Sequence, residues 1–419
     1  PSQSGSCKGT IEFVSPWNVG SSAGDGLNLM GQDFAAAYPG CTARLLFVQG
    51  GNTAILEKLV ASIAGGDPPP VALVPAQQTP LWISKGVIQS LDEVAKRDGV
   101  TKELFFDGYW PQMVVDGTLW RLPFSIDVNF PLFRNRQAFR NGGQNPGQTP
   151  ETIAKVDELA IALTRGGPGA HEQFGVVPWQ FYGDANSLQS WAYAFGGEFF
   201  DPAKDKVVAN QPKTVQALEW MVGWAKRLGG YDAVNEELKA MGNWSNAFAT
   251  GRIAMAPRTS QGIPSLQEIN PAVELDGGLF PGAPGVKPGE ATWLSGRGIG
   301  MITGTANPEA AWAFIKWAGA TKEGTLAAVN RIGATPGLKA SPGLAVLEED
   351  PLMKPFVEAL RVARHNPPGA IMPINVWAGE RGTWIKEALQ QKRPAQQALD
   401  EVTRTAQVDL DAERARQRG

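Results

Sequence analysis

Short apolar runs alternate with segments of helical period from the start of the chain. Residues 11–14 read as a strand, followed by a loop rich in Gly, Ser and Asn over 17–28 and a helix through Phe34 to Tyr38. Residues 45–48 make a second strand, ahead of Gly50-Gly-Asn-Thr53 and a helix over 54–64. Gly65-Gly-Asp-Pro-Pro-Pro70 stops that helix, because proline fixes φ and removes a donor, and residues 71–74 make a third strand. Strands alternating with helices predict a parallel α/β sheet with ligand groups gathered at the strands' carboxyl ends. Those ends carry Trp17 and Asn18, then Gln49 and Asn52, then Gln77 and Gln78. An aromatic ring and several amides therefore converge, although ordinary polar loop caps account for part of the set.

Further along, the apolar run over 298–303 leads through Gly304-Thr-Ala-Asn-Pro308 into a segment where Ala311, Phe314, Ile315 and Ala318 recur at helical steps. Asn307 suits the N-cap, Pro308 the first helical position, and Glu309 the positive end of the helix dipole.

As a string, Asn307-Pro-Glu-Ala-Ala-Trp-Ala-Phe-Ile-Lys-Trp317 resembles the signature of extracellular solute-binding proteins that feed sugar-importing ABC transporters. Leu122-Pro123-Phe124 and Leu132-Phe133-Arg134-Asn135 resemble the family segment that leads from the first lobe into the second. Asn246-Ala-Phe248-Ala-Thr-Gly251-Arg-Ile-Ala-Met255 is similar to the helix-to-strand piece before the return crossing. Ile371-Met-Pro373 and a helical tail from Trp384 to about Asp411 resemble the family's carboxyl end. The chain departs from its relatives at Val71, where they have Asp after Pro. The resemblance implies a two-lobed α/β periplasmic binding fold of type II-like topology. Each lobe is expected to be a mainly parallel sheet flanked by helices, joined to the other by crossing hinge strands, with closure around a ligand. The expected division places residues 1–125 and 262–305 in the N-terminal lobe, and 126–261 and 306–419 in the C-terminal lobe.

A length of 419 residues suits two lobes, and 43% hydrophobic with 19% charged residues suits a globular chain. The net charge of −3 gives no case for nucleic acid, and Arg414-Ala-Arg416-Gln-Arg418 reads as the basic end of a helix. No apolar run is long enough to span a bilayer, which takes about 18 residues or more. The opening Pro1-Ser-Gln-Ser-Gly-Ser6 reads as linker from a mature or truncated chain. Cys7 and Cys41 each precede a strand by four residues, so parallel neighbouring strands would bring them within disulfide reach. A bridge implies an oxidising compartment. A lipidated Cys7 is the competing reading, although Ser4-Gly-Ser6 lacks the Leu such a site expects. An extracytoplasmic location, periplasm or cell surface, follows either way, with a lipid anchor through a segment outside this sequence left open.

Sugars are held by stacking an aromatic ring on their C–H face and ringing the hydroxyls with carboxylates, amides and Arg. Trp179, Tyr182, Asp184 and Asn186 bring that mixture into one turn-rich segment. The resemblance implies that this loop faces the ligand. It implies the same of Asp127 at the crossing and of Trp377 near the end, while Trp293, Ser295 and Arg297, just before the signature strand, are further candidates by residue type and position. Asp127 has a competing reading as a hinge residue that caps local backbone. Arg258 and Arg331 either grip a ligand or brace a surface. Trp312 and Trp317, with Trp220 and Trp224, sit inside helices and are expected in the core.

Nothing marks an enzyme. His171 and His365 are isolated, with neither metal-ligand spacing nor a nucleophile motif near them. Gly296-Arg-Gly298-Ile-Gly300 lacks the last spacing of a dinucleotide fingerprint. No metal and no cofactor are expected. The 41 acidic residues offer too many pairs to rule on glycoside hydrolysis, so a glycosidase stays as the distant rival. The expected function is substrate binding for an ABC importer. A sugar or oligosaccharide is captured between two lobes, and a monomer delivers it to permease transmembrane subunits. The alternative is glycerol-3-phosphate or glycerophosphodiester binding by the same fold. Those relatives carry an Arg in the final ligand loop, where Ile371-Met-Pro-Ile-Asn375-Val-Trp377 has none; Arg258, Arg297 or Arg331 would have to substitute.

Overall fold

The computed structural model describes residues 7–418. Ten strands build two five-stranded sheets: β1 (Gly9–Ser15), β2 (Cys41–Phe47), β3 (Val71–Pro75), β4 (Leu122–Asn129), β5 (Leu132–Asn135), β6 (Arg165–Gly167), β7 (Ala170–Val176), β8 (Ile253–Pro257), β9 (Leu275–Gly278) and β10 (Trp293–Met301). The chain divides into two compact units. The first holds the residues up to Asp127, with Leu294–Glu349 and Gly369–Pro373. The second holds Val128–Trp293, Asp350–Pro368 and the residues from Ile374 onward.

In the first unit the sheet order is β2-β1-β3-β10-β4. β1 is parallel to both β2 and β3, and β10 runs antiparallel to β3. β3 is buried along its whole length, as a strand covered on both faces should be. The helix Ser22–Ala37 starts where the Ser21 hydroxyl accepts the Gly24 N–H at 3.1 Å, and it buries Leu27, Met30 and Phe34. Asn307 caps the helix Pro308–Ala320 by accepting the Ala310 N–H at 3.2 Å. That helix sets Phe314 against Phe13 (centroids 5.0 Å apart) and Phe34 (5.1 Å), with Trp317 against Phe34 (5.4 Å).

This packing corrects the expected division. Residues 306–349 belong with the first unit, because the signature helix closes the core over β1. Residues 262–293 belong with the second, where β9 pairs with β5 from Leu275 opposite Asn135 to Gly278 opposite Leu132.

The second sheet has the order β9-β5-β8-β7-β6. Only β8 and β7 pair in parallel; β5 with β8, β5 with β9, and β6 with β7 are antiparallel. This sheet is therefore mixed rather than mainly parallel. Trp312, Trp317 and Trp224 are buried as expected, and Trp220 is half-buried. Trp220 and Trp224, one helical turn apart, both donate to Asp157 Oδ1, at 2.9 and 2.8 Å. No described helix is long and apolar enough to cross a membrane.

Cys7 and Cys41 form a disulfide with their Cα atoms 5.5 Å apart. The expected placement is right in kind and wrong in detail. Cys41 opens β2 rather than preceding it, because the parallel pairing with β1 starts at Gly9 opposite Cys41. A sulfur held in a disulfide carries no lipid.

Candidate functional site

Two clusters of sequence-predicted residues form, one inside each unit. In the first unit, Trp17 follows β1, Asn52 lies in the first turn of the helix Gly51–Ala64, and Arg297 lies on β10. The Arg297 guanidinium sits 5.2 Å from the Trp17 ring centroid and donates through Nη2 to Asn52 Oδ1 at 3.0 Å. Its Nη1 is buried and has no hydrogen-bond partner among the described residues. Burial lowers the Arg297 pKa, and the charge of Asp127 opposes that shift. Asp127 is thus the charge that supports Arg297. The close approach of the strands depends on Gly296, which has φ +106°; a Cβ there would lie 2.1 Å from the Ser125 carbonyl oxygen.

Several of the other predicted groups of this unit have structural partners. The Asn18 carbonyl accepts from the Ser21 hydroxyl at 2.6 Å, and Gln78 accepts from Trp82 Nε1 at 3.4 Å. Gln77 is exposed in the turn after β3, and Ser295 is buried on β10. Arg331 is exposed and bonds Asp33 through two nitrogens, at 2.9 and 3.0 Å, so it braces two helices rather than gripping a ligand.

The second unit contains a cavity of about 390 Å³. Phe130, Phe181, Tyr182 and Trp244 supply its aromatic wall; Gln180, Asn243, Ser245 and Thr259 supply neutral polar groups; Pro257 and Arg258 complete it. Phe130 meets Phe181 edge-on at 5.1 Å and Tyr182 at 5.2 Å, an arrangement favoured by ring quadrupoles. Tyr182 is 46% exposed, which leaves ring surface for a ligand.

Arg258 follows β8 and is 7% exposed. Its guanidinium lies 4.7 Å from the Trp244 ring centroid, and Nη2 donates to the Gly262 carbonyl at 2.9 Å. A Cβ at residue 262 would sit 2.7 Å from that nitrogen, so glycine is what lets the guanidinium in. Nε is buried without a partner, and no carboxylate among the described residues forms an ion pair with this arginine. Burial alone pushes its pKa down to about 10.

Trp179 and Trp293, expected to stack on a sugar, are fully buried, and this is a correction. Trp179 donates to Asn235 Oδ1 at 3.0 Å, and Trp293 donates to the Ser190 hydroxyl at 2.9 Å. A buried indole N–H needs such a partner, and these partners fix both rings in the core. Trp293 instead backs the cavity wall, edge-on to Phe130 at 5.6 Å. Asp184 accepts from the Tyr231 hydroxyl at 2.8 Å, Asn186 donates to the Tyr182 carbonyl at 3.4 Å, and Trp377 donates to Gln189 at 3.3 Å. Burial raises the Asp184 pKa, against the Tyr231 bond and the Lys386 charge.

Sequence reasoning missed Phe130, Gln180, Phe181, Asn243, Trp244, Ser245 and Thr259 as wall residues. Two signals were present: Phe130 lies between the Leu122-Pro123-Phe124 and Leu132–Asn135 motifs of the crossing segment, and Trp244 stands two residues before the Asn246-Ala-Phe248 motif. His171 lies 3.0 Å from Glu237, and His365 stacks on Tyr193 at 4.1 Å, 3.2 Å from Glu198. No group of three or more potential metal ligands occurs among the described residues.

The chain is 24% identical to the maltotriose-binding protein of Pyrococcus abyssi (strain GE5 / Orsay) over 337 residues, covering 78% of this chain and 68% of that one. In fold it is similar to the sugar-binding protein MalE of Xanthomonas citri, with TM-score 0.78, 17% identity, and 97% and 98% of the two chains covered. It is also similar to the mannotriose-bound protein CpMnBP1, with TM-score 0.72, 23% identity, and 94% and 98% covered. The sequence matches the family described as bacterial extracellular solute-binding protein over residues 20–325, well over half of its length, and the chain belongs to that family.

Proposed function

We propose that this chain is the substrate-binding component of an ABC importer, taking a sugar or oligosaccharide outside the cytoplasm and delivering it to a membrane permease. The observation that carries this reading is the aromatic cavity of the second unit. Its volume falls within the range of small-molecule sites, about 300–1,000 Å³, and it joins ring surface to amides and hydroxyls. Tyr182 and Phe130 offer faces and edges to a sugar's C–H groups, while Gln180, Asn243, Ser245 and Thr259 meet hydroxyls. In the first unit, Arg297, Asn52, Asp127 and Trp17 form a second set of groups suited to hydroxyl contact. Relatives that bind maltotriose or carry bound mannotriose support the same class of ligand. The reading contains no chemical step, so the ligand leaves as it arrived.

Thermal melting and calorimetric titration with maltotriose, mannotriose and glycerol 3-phosphate test the reading. A bound trisaccharide raises the melting temperature by mass action. No response to any saccharide, with a clear response to glycerol 3-phosphate, overturns it. Chromatography of a labelled trisaccharide after incubation should return it uncut, and shortened products would point to the glycosidase instead.

A further inference from the structure

The cavity of the second unit has one formal charge in its wall, and it is positive. None of the ten residues around the cavity is Asp or Glu. Arg258 contributes a guanidinium that is 7% exposed, held over Trp244 at 4.7 Å, and bonded through its side chain only to the Gly262 carbonyl among the described residues. Of its five N–H donors, that bond takes one. A buried cation without a carboxylate is costly, and stacking on an indole offsets only part of the cost. Hydroxyls of a neutral sugar are donors as well as acceptors and are well served by carboxylates. A wall with a surplus of donors and no carboxylate suits a ligand that brings the anion itself.

We propose that the ligand is an anionic sugar, carrying a carboxylate or a phosphate that pairs with Arg258 while its ring lies against Phe130 and Tyr182. The proposal rests on the sugar-binding reading above and narrows it to an acidic class. Trp244 holds the guanidinium in place from one side, and Gly262 leaves the space it occupies. Arg258 acts as the charge-selecting group, and the rings accept any sugar of suitable size.

The experiment is calorimetric titration with three probes: maltotriose (neutral), trigalacturonate (carboxylate on a sugar) and glycerol 3-phosphate (phosphate without a sugar ring). Wild type, Arg258→Gln and Arg258→Lys are compared at about 20 and about 500 mM NaCl, which spans strong and weak screening. Wild type should bind trigalacturonate at least about tenfold more tightly than maltotriose, and high salt should erode that preference. Arg258→Gln should abolish the preference by weakening trigalacturonate at least about tenfold more than maltotriose, while Arg258→Lys keeps part of it. A merely structural arginine would instead weaken both saccharides together in Arg258→Gln. That outcome, or equal or tighter binding of maltotriose by wild type, overturns the proposal and leaves the sugar reading intact. Arg258-dependent binding of glycerol 3-phosphate alone keeps the anionic ligand, assigns it to phosphate, and removes the sugar. Binding of none of the three removes both.

Discussion

Asp98 accepts the indole N–H of Trp312 at 2.9 Å, and the same carboxylate oxygen accepts the Lys316 ammonium at 2.9 Å. Trp312 and Lys316 are one turn apart on the helix Pro308–Ala320, so a single carboxylate fixes the angle of the signature helix. Arg97 adds a third bond at 2.9 Å. Burial acts to raise the Asp98 pKa, yet the bonds from Lys316, Trp312 and Arg97 outweigh it and hold the pKa at about 2. A depressed carboxylate stabilises the fold above its unfolded pKa, near 3.9, and this stabilisation fades as pH falls toward 2. The gap corresponds to roughly 2.5 kcal/mol. Asp98→Asn should therefore lower stability by about 2 kcal/mol at pH 7 and by much less near pH 2. Urea unfolding of both proteins across that range checks it. An equal difference at both ends would mean that the charge is not what matters.

The bridge between Cys7 and Cys41 closes a loop of sequence separation 34. In the chain-entropy account, removing such a cross-link costs about 3–4 kcal/mol, because the unfolded chain regains freedom. The Cys7→Ser/Cys41→Ser double variant should melt several degrees below wild type, and reductant should lower the wild type to match. Peptide mapping without reduction should recover the linked pair from an untreated, secreted sample. Two free thiols in a folded sample would remove the bridge from the native protein.

The strand–helix alternation of the first unit was legible because each element carries its own local signal: a buried apolar run, or a cap followed by helical spacing. Asn307 and Pro308 predicted their helix start within a residue. The unit to which that helix belongs was not legible, since it is decided by Phe314 meeting Phe13 some 300 positions earlier. Arg331 looked available because Asp33, its partner, is just as remote in sequence. Tyr182 was found and Trp179 misplaced for one reason. Both lie in the same turn-rich segment, and only the distant Asn235 carbonyl shows which ring turns inward. Arg258 was recognised as a residue of two possible roles. What bears on the choice, the lack of an ion-paired carboxylate among the described residues, is a property of the folded neighbourhood.

Trp179 and Tyr182 should separate cleanly on substitution. Trp179→Ala or Trp293→Ala empties a fully buried indole site and should cost about 3–5 kcal/mol of stability. Tyr182 is about half exposed, so Tyr182→Ala should leave the melting temperature nearly unchanged and weaken saccharide binding about tenfold, near 1.4 kcal/mol. Melting curves and titrations of the three variants decide the matter. A stable Trp179→Ala with lost binding would return Trp179 to the ligand face.

Arg297 is the residue where stability and binding should move in opposite directions. Its guanidinium is desolvated, stacked on Trp17 and tied to Asn52, while Nη1 has no partner among the described residues. Arg297→Met keeps much of the side chain's length and removes the charge, so the free protein sheds a desolvation penalty. The loss of stacking on Trp17 and of one hydrogen bond to Asn52 works the other way, at about 1 kcal/mol each. The melting temperature of the free protein should therefore hold or rise slightly. If Nη1 donates to the bound sugar, affinity should fall by about 1.5–3 kcal/mol, the range for a hydrogen bond to a charged group. Asp127→Asn should produce a smaller loss in the same direction, because that carboxylate supports the Arg297 charge without replacing its donor. Titration of wild type and both variants with the best-bound saccharide, alongside their melting curves, measures the two effects separately. Unchanged affinity in Arg297→Met together with a large drop in melting temperature would make Arg297 a strut for β10 and the loop after β1.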